Sequence, residues 1–136
     1  MVELDELIVE RAITAAVDVR SHAWAPYSTF KVGAAVITTS GALHVGCNVE
    51  NASFGLTQCA ERAAITAATA AGQRDVTCCV VVTDTEEPTT PCGACRQVLA
   101  EANPDMLVIC RTVAGAERRF SLRDLLPYAF LSFSRS

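Results

Sequence analysis

The sequence is poor in the features that mark binding to nucleic acid or membrane. Eleven Lys and Arg stand against fifteen Asp and Glu, and the formal net charge is −4. Affinity for a polyanion comes from basic side chains that neutralise phosphates, so an acidic chain without a basic cluster argues against a nucleic-acid partner. No membrane span is expected. Residues 32–49 lack Asp, Glu, Lys and Arg, but Thr38, Thr39, Ser40, Gly41, His44 and Asn48 interrupt them. They read as two strands and a turn. The first residues include Glu3, Asp5 and Glu6, whereas a secretory leader begins with basic residues and continues into an apolar run. A cytoplasmic location is therefore expected. There is no internal repeat, low-complexity tract or Pro/Gly/Ser-rich linker, and a single domain over residues 1–136 is the simplest organisation.

Hydrophobic residues make up 51% of the chain, which suits one well-packed core. Leu4, Leu7, Ile8, Arg11, Ala12, Ala15, Ala16 and Val19 recur at helical spacing and predict an amphipathic helix ending near Arg20. Ala25-Pro26-Tyr27-Ser28 breaks the chain. Residues 31–38 and 43–48 read as a hairpin around Ser40-Gly41. An Ala-rich helix with little polar face follows over 59–71, stopped by Gly72 and expected to be largely buried. Residues 76–83 form a continuous apolar, β-branched run, the pattern of a central strand covered on both faces. A helix over 93–102, strands over 106–110 and 118–121, and a helical turn over 122–126 complete the chain. Strands alternating with helices define the α/β class, with a mixed sheet and helices on both faces.

Seven cysteines in a chain of this kind do not suggest disulfides. An odd count with a Cys-x-x-Cys pair points to metal or redox chemistry. Cys59 precedes Ala60-Glu61, and Cys92 and Cys95 lie in Pro91-Cys92-Gly93-Ala94-Cys95. Both groups fall where a helix begins, and a helix N-terminus lowers thiol pKa and favours thiolates. Two such ends meeting would gather three thiolates around one metal, and zinc suits sulfur ligands in a tetrahedral site. Three protein ligands leave the fourth position open, which is the mark of a catalytic site. Glu61, two residues from a ligand, can reach the open position without competing for the metal and can move protons. Three thiolates make the centre electron-rich. Arg62 or Arg96 could withdraw charge by hydrogen-bonding sulfur, with Arg62 favoured because it lies three residues after Cys59. Cys47, Cys78, Cys79 and Cys110 read as small buried hydrophobes.

Cys59-Ala60-Glu61-Arg62 together with Pro91-Cys92-Gly93-Ala94-Cys95-Arg96-Gln97 resembles the short-chain, homotetrameric cytidine deaminases. Residues 25–35, residues 46–53 and Leu125-Leu126-Pro127 with Ala129-Phe130 extend the likeness over roughly 8–130. The resemblance implies a three-layer α/β/α sandwich with a central mixed five-stranded sheet. It also implies one Zn2+ per subunit on Cys59, Cys92 and Cys95, and Glu61 as the acid/base of a zinc deaminase. It implies that Asn48 and Glu50 hold the ribose and that Phe30 stacks on the pyrimidine. The Ala60 backbone would contact the base, and Phe130 would reach into a neighbouring subunit's pocket, so that active sites are shared in a homotetramer. The implied activity is hydrolytic deamination of cytidine and 2′-deoxycytidine in pyrimidine salvage. Trp24 and Phe54 stand where tyrosine is common in the family, which bears on substrate preference. The alternative within the class is a deaminase of another cytosine nucleoside, such as a blasticidin S-type antibiotic; the Asn48/Glu50 pair favours cytidine. An editing deaminase conflicts with the acidic charge. A non-catalytic zinc module would need a fourth ligand, for which Cys47 and Cys110 are the candidates.

Overall fold

The computed structural model describes residues 4–132. In chain order the elements are α1 (Glu6–Arg20), β1 (Val32–Thr38), β2 (Leu43–Cys47), a 3-10 turn (Phe54–Leu56), α2 (Ala60–Ala70), β3 (Val76–Thr83), α3 (Gly93–Ala102), β4 (Leu107–Thr112), β5 (Glu117–Ser121) and α4 (Leu122–Leu125). The five strands form one mixed sheet in the order β2-β1-β3-β4-β5. Only β3 and β4 run parallel; the other neighbours are antiparallel. A parallel pair needs a crossover, and α3 supplies it.

Alternation along the strands sends side chains to two cores. On one face Ala35, Ile37, Cys78, Val80, Val82 and Ile109 pack under the α1 stripe Val9, Ala12, Ile13 and Ala16. On the other, Ala34, Val36, Cys79, Val81, Val108 and Cys110 pack under α2, α3 and α4. The three-layer α/β/α sandwich expected from the sequence is thus the fold observed. All eight residues of β3 are buried, as a strand covered on both faces must be.

α1 starts where Asp5 caps it, its carboxylate accepting the Leu7 N–H at 2.9 Å. α2 is less buried than its Ala-rich composition suggests. Ala60, Glu61, Ala64, Ile65 and Ala68 form its inner stripe, while Thr66, Thr69 and Ala70 face outward. Gly46 lets this helix lie directly on β2. A Cβ there would sit 2.4 Å from the Ala64 nitrogen and 2.6 Å from the Ala60 oxygen. Glycine at residue 46 therefore fixes how close the start of α2 comes to the sheet, and with it the position of Cys59 and Glu61.

No described helix is long and apolar enough to cross a membrane.

Candidate metal centre and active site

Cys59 is the N-cap of α2, and Cys92 is the N-cap of α3 with Cys95 in its first turn. Neither cap side chain takes an amide hydrogen bond, so the free N–H groups of both first turns remain to polarise what lies before them. The three sulfurs lie within 4.8 Å of one another. Tetrahedral zinc with Zn–S near 2.3 Å needs sulfurs about 3.8 Å apart, which is compatible with that spacing. Three converging thiols at two helix ends fit zinc in donor type and in number. Among the described residues no fourth Cys, His, Asp or Glu joins the group. Cys110, one candidate for a fourth ligand, is buried in the core beneath α2 and α3, and Cys47 ends β2.

Without metal, the thiols share protons unevenly. The Cys59 thiol is pulled down to about 5, first because Cys95 donates a hydrogen bond to it and then because Arg62 stands beside it. The Cys95 thiol is driven upward by that same bond and by burial. Arg62 Nη2 lies 3.5 Å from Cys59 Sγ and 3.2 Å from the Thr57 carbonyl oxygen. Arg62 is thus placed to withdraw charge from sulfur. Arg96 has a different place: it donates to the Pro91 carbonyl at 2.8 Å, the Leu125 carbonyl at 2.8 Å and Thr90 Oγ1 at 2.9 Å. It ties the loop that precedes Cys92 to the end of α4.

A cavity of about 220 Å3 opens beside the sulfurs, bordered by Phe30, Asn48, Cys59, Ala60, Glu61 and Cys92. Glu61 is only 5% exposed. Burial above all pushes its carboxyl up to about 7, with the nearby Cys59 charge adding to the rise. A carboxyl so placed can exist in both protonation states near neutral pH. Thr83, Thr89 and Thr90 border the same cavity; no motif marks them, because they come from the end of β3 and the loop after it.

A second concavity adjoins the first across Thr57 and is bordered by Tyr27, Ser28, Glu50 and Phe54. Of the expected substrate-binding residues, Phe30, Asn48 and Ala60 therefore border the metal cavity, and Glu50 borders its extension. Asn48 is already engaged: its Oδ1 accepts the Val32 N–H at 2.8 Å and its Nδ2 donates to the Phe30 carbonyl at 2.7 Å. Trp24 borders neither concavity. It pairs through its backbone with Asn48 and Glu50, at 2.9 and 2.8 Å. Phe54 stands at the rim, edge-on to Tyr27 with ring centroids 5.8 Å apart. Phe130 does not border the cavity of its own chain; its carbonyl accepts from Gln97 Nε2 at 2.5 Å.

Sandwich and site together define an α/β protein with a three-cysteine metal-binding centre of zinc type and a buried acid beside it. A family model described as the cytidine and deoxycytidylate deaminase zinc-binding region matches residues 8–111. The chain belongs to that family, whose members are hydrolytic deaminases. It is 47% identical to the cytidine deaminase of Halalkalibacterium halodurans over 126 residues, 92% of each chain. It is 43% identical to that of Sporosarcina psychrophila, over 90% of each. The crystal structure of cytidine deaminase from Burkholderia pseudomallei superposes with a TM-score of 0.86 at 49% identity, covering 89% of this chain and 98% of that one.

Proposed function

We propose that the protein hydrolyses cytidine and 2′-deoxycytidine to uridine and 2′-deoxyuridine with release of ammonia, as a cytoplasmic enzyme of pyrimidine salvage. The observation that carries this reading is Glu61: a carboxyl only 5% exposed, bordering the same cavity as Cys59 and Cys92. The names of the relatives support the choice of cytosine nucleoside.

Cys59, Cys92 and Cys95 hold one Zn2+ per subunit. Zinc, when bound, supplies Lewis acidity that brings the pKa of water to about 7. Glu61 takes a proton from the attacking water and passes it to N3 of the ring. Once the oxygen has added at C4, Glu61 takes the remaining proton of that hydroxyl and gives it to the amine as the C4–N bond breaks. The water's oxygen remains as the C4 carbonyl, and its protons leave with ammonia or remain on N3. The Ala60 N–H, in the uncapped first turn of α2, donates to the base. Phe30, 41% exposed at the cavity edge, offers a ring for the pyrimidine to stack on. Asn48 and Glu50 receive the sugar, which would lie from the first concavity into the second. Arg62 withdraws charge from the Cys59 sulfur.

The enzyme acts as a homotetramer with shared sites. Trp24, Val49, Phe54 and Leu56, on the loops bordering the sites, are between 47% and 73% exposed. Apolar surface of that kind favours burial against another copy. Phe130, 64% exposed, reaches a neighbour's pocket.

The test is an absorbance assay on protein of known zinc content, with cytidine, 2′-deoxycytidine, cytosine and blasticidin S offered side by side. Rapid turnover of the first two at about one zinc per chain is expected. Turnover of blasticidin S alone, or of none with zinc fully bound, overturns the reading.

A further inference from the structure

Residues 25–30 form a tight loop whose amides converge on Glu50. The Thr29 N–H reaches back to the Ala25 carbonyl at 2.9 Å. Thr29 itself has φ of 59°, a left-handed conformation that a β-branched residue rarely adopts. The turn it makes points the Tyr27 and Ser28 N–H groups at one Glu50 oxygen, Oε1, at 2.9 and 3.1 Å. Strain of this kind persists where surrounding contacts hold it, and it collects at functional sites.

The Ser28 hydroxyl donates to the other oxygen of Glu50, Oε2. The same hydroxyl accepts the Phe30 N–H at 3.0 Å. An ionised carboxylate only accepts, so the one hydroxyl hydrogen must go to Glu50 and a lone pair must face Phe30. The Phe30 backbone is thereby held on both sides of its Cα, its N–H by Ser28 and its carbonyl by Asn48 Nδ2. Three of the four lone-pair positions of Glu50 are filled from the loop, which fixes the carboxylate plane and leaves one position for a ligand.

We infer that Ser28 is a positioning residue whose hydroxyl couples the orientation of Glu50 to that of Phe30, so that the sugar-facing and base-facing sides of the pocket are set by one group. The assignment to sugar and base rests on the proposed function; the coupling itself does not. A nucleoside that engages Glu50 finds the Phe30 backbone already in place, and the orientation does not have to be fixed at the moment of binding.

The coupling is read first without substrate, by amide hydrogen exchange in the zinc-loaded protein. Ser28→Ala removes the acceptor of the Phe30 N–H, and Glu50→Ala removes the partner that orients that acceptor. Both variants are expected to speed exchange of the Phe30 amide by about tenfold or more, while the core amides of β3 keep their protection. Unchanged exchange at Phe30 in Glu50→Ala overturns the coupling. In kinetics, Ser28→Ala is expected to raise KM for cytidine about tenfold with kcat within about twofold, and Ser28→Thr, which retains a hydroxyl, to recover most of the loss. A fall in kcat with unchanged KM, or no recovery by threonine, overturns the positioning role. Coupled exchange in a protein that turns over no nucleoside would refute the proposed function and leave the Ser28 linkage standing.

Discussion

The metal corner and the loop wall of the cavity are built on opposite plans. At the metal corner every functional group belongs to the start of a helix. Cys59 and Glu61 share one, Cys92 and Cys95 the other, and the residues of each set lie within three positions of one another. At the wall, each side chain proposed to meet the sugar is held by a segment distant in sequence: Glu50 by Tyr27 and Ser28, Asn48 by Phe30 and Val32. A corner made of local geometry tolerates little loss of any member, because no other part of the chain can substitute for a ligand. A wall made of many crossed hydrogen bonds loses strength in steps.

The largest effect should therefore follow a change at the corner. Cys92→Ala removes a ligand from an exposed N-cap without touching either core. Metal content measured by atomic absorption should fall to near zero, and deamination should fall by about a thousandfold or more, since both the Lewis acid and its activated water are lost. The far-ultraviolet circular dichroism of the fold should persist. Full zinc occupancy in this variant would remove Cys92 from the ligand set and erase the contrast between corner and wall.

A smaller effect separates the charge of Glu61 from its chemistry. In the metal-free protein its carboxyl is raised from 4.5 to about 7. The native state then holds a proton that the unfolded chain has released between those values, so stability must fall as pH rises through that window. The span corresponds to about 3 kcal/mol, complete above pH 7. Glu61→Gln has no such proton to lose. The stability difference between variant and parent, measured by urea unfolding without metal, should be small at pH 4 and favour the variant by about 3 kcal/mol at pH 8. Cys59 acts in the opposite sense. Its thiol, lowered to about 5, contributes stability that is lost as pH falls; because its charge also helps raise Glu61, the growth of the difference with pH is the readout. A difference that does not grow with pH would mean that burial of Glu61 does not control its proton.

The same contrast explains what could be read from the sequence. The three-cysteine group and the helix starts were legible because their signal lies within a few adjacent residues: two cysteines three apart after a proline, and a third before Ala-Glu. Element types were legible from periodicity, and their bounds less so. α2 begins at Ala60 because Cys59 is its cap. β4 continues to Thr112 because β5 pairs Glu117 with Arg111 and the parallel neighbour β3 pairs Thr83 with Thr112. The 3-10 turn Phe54–Leu56 is too short to leave a pattern. Ser28 and Arg96 were opaque in a different way. The Ser28 hydroxyl meets a carboxylate 22 residues away, and an Arg96 nitrogen meets a carbonyl 29 residues away. Nothing in Pro26-Tyr27-Ser28 or Cys95-Arg96 marks those distant partners. Burial of α2 was overestimated for a related reason: alanine suits both a core and an outer face awaiting a neighbour, and composition does not say which.

The smallest effect should come from the wall. Asn48→Ala removes the acceptor of the Val32 N–H and the donor to the Phe30 carbonyl, both with good geometry in a site only 8% exposed. Leaving two such groups unpaired costs about 2 kcal/mol, less where water can enter from the cavity. The melting temperature should drop by a few degrees for a domain of this size. Zinc should remain bound, because no hydrogen bond of Asn48 reaches Cys59, Cys92 or Cys95. KM for cytidine should rise while a rate near the parent's is recovered at saturating substrate, since Glu61 and the sulfurs are unmoved. Loss of zinc from Asn48→Ala would show that the wall supports the corner and that the two plans are one. Retention of zinc with a raised KM would mean the chemistry is set by the helix ends and substrate affinity by the loops crossed over them.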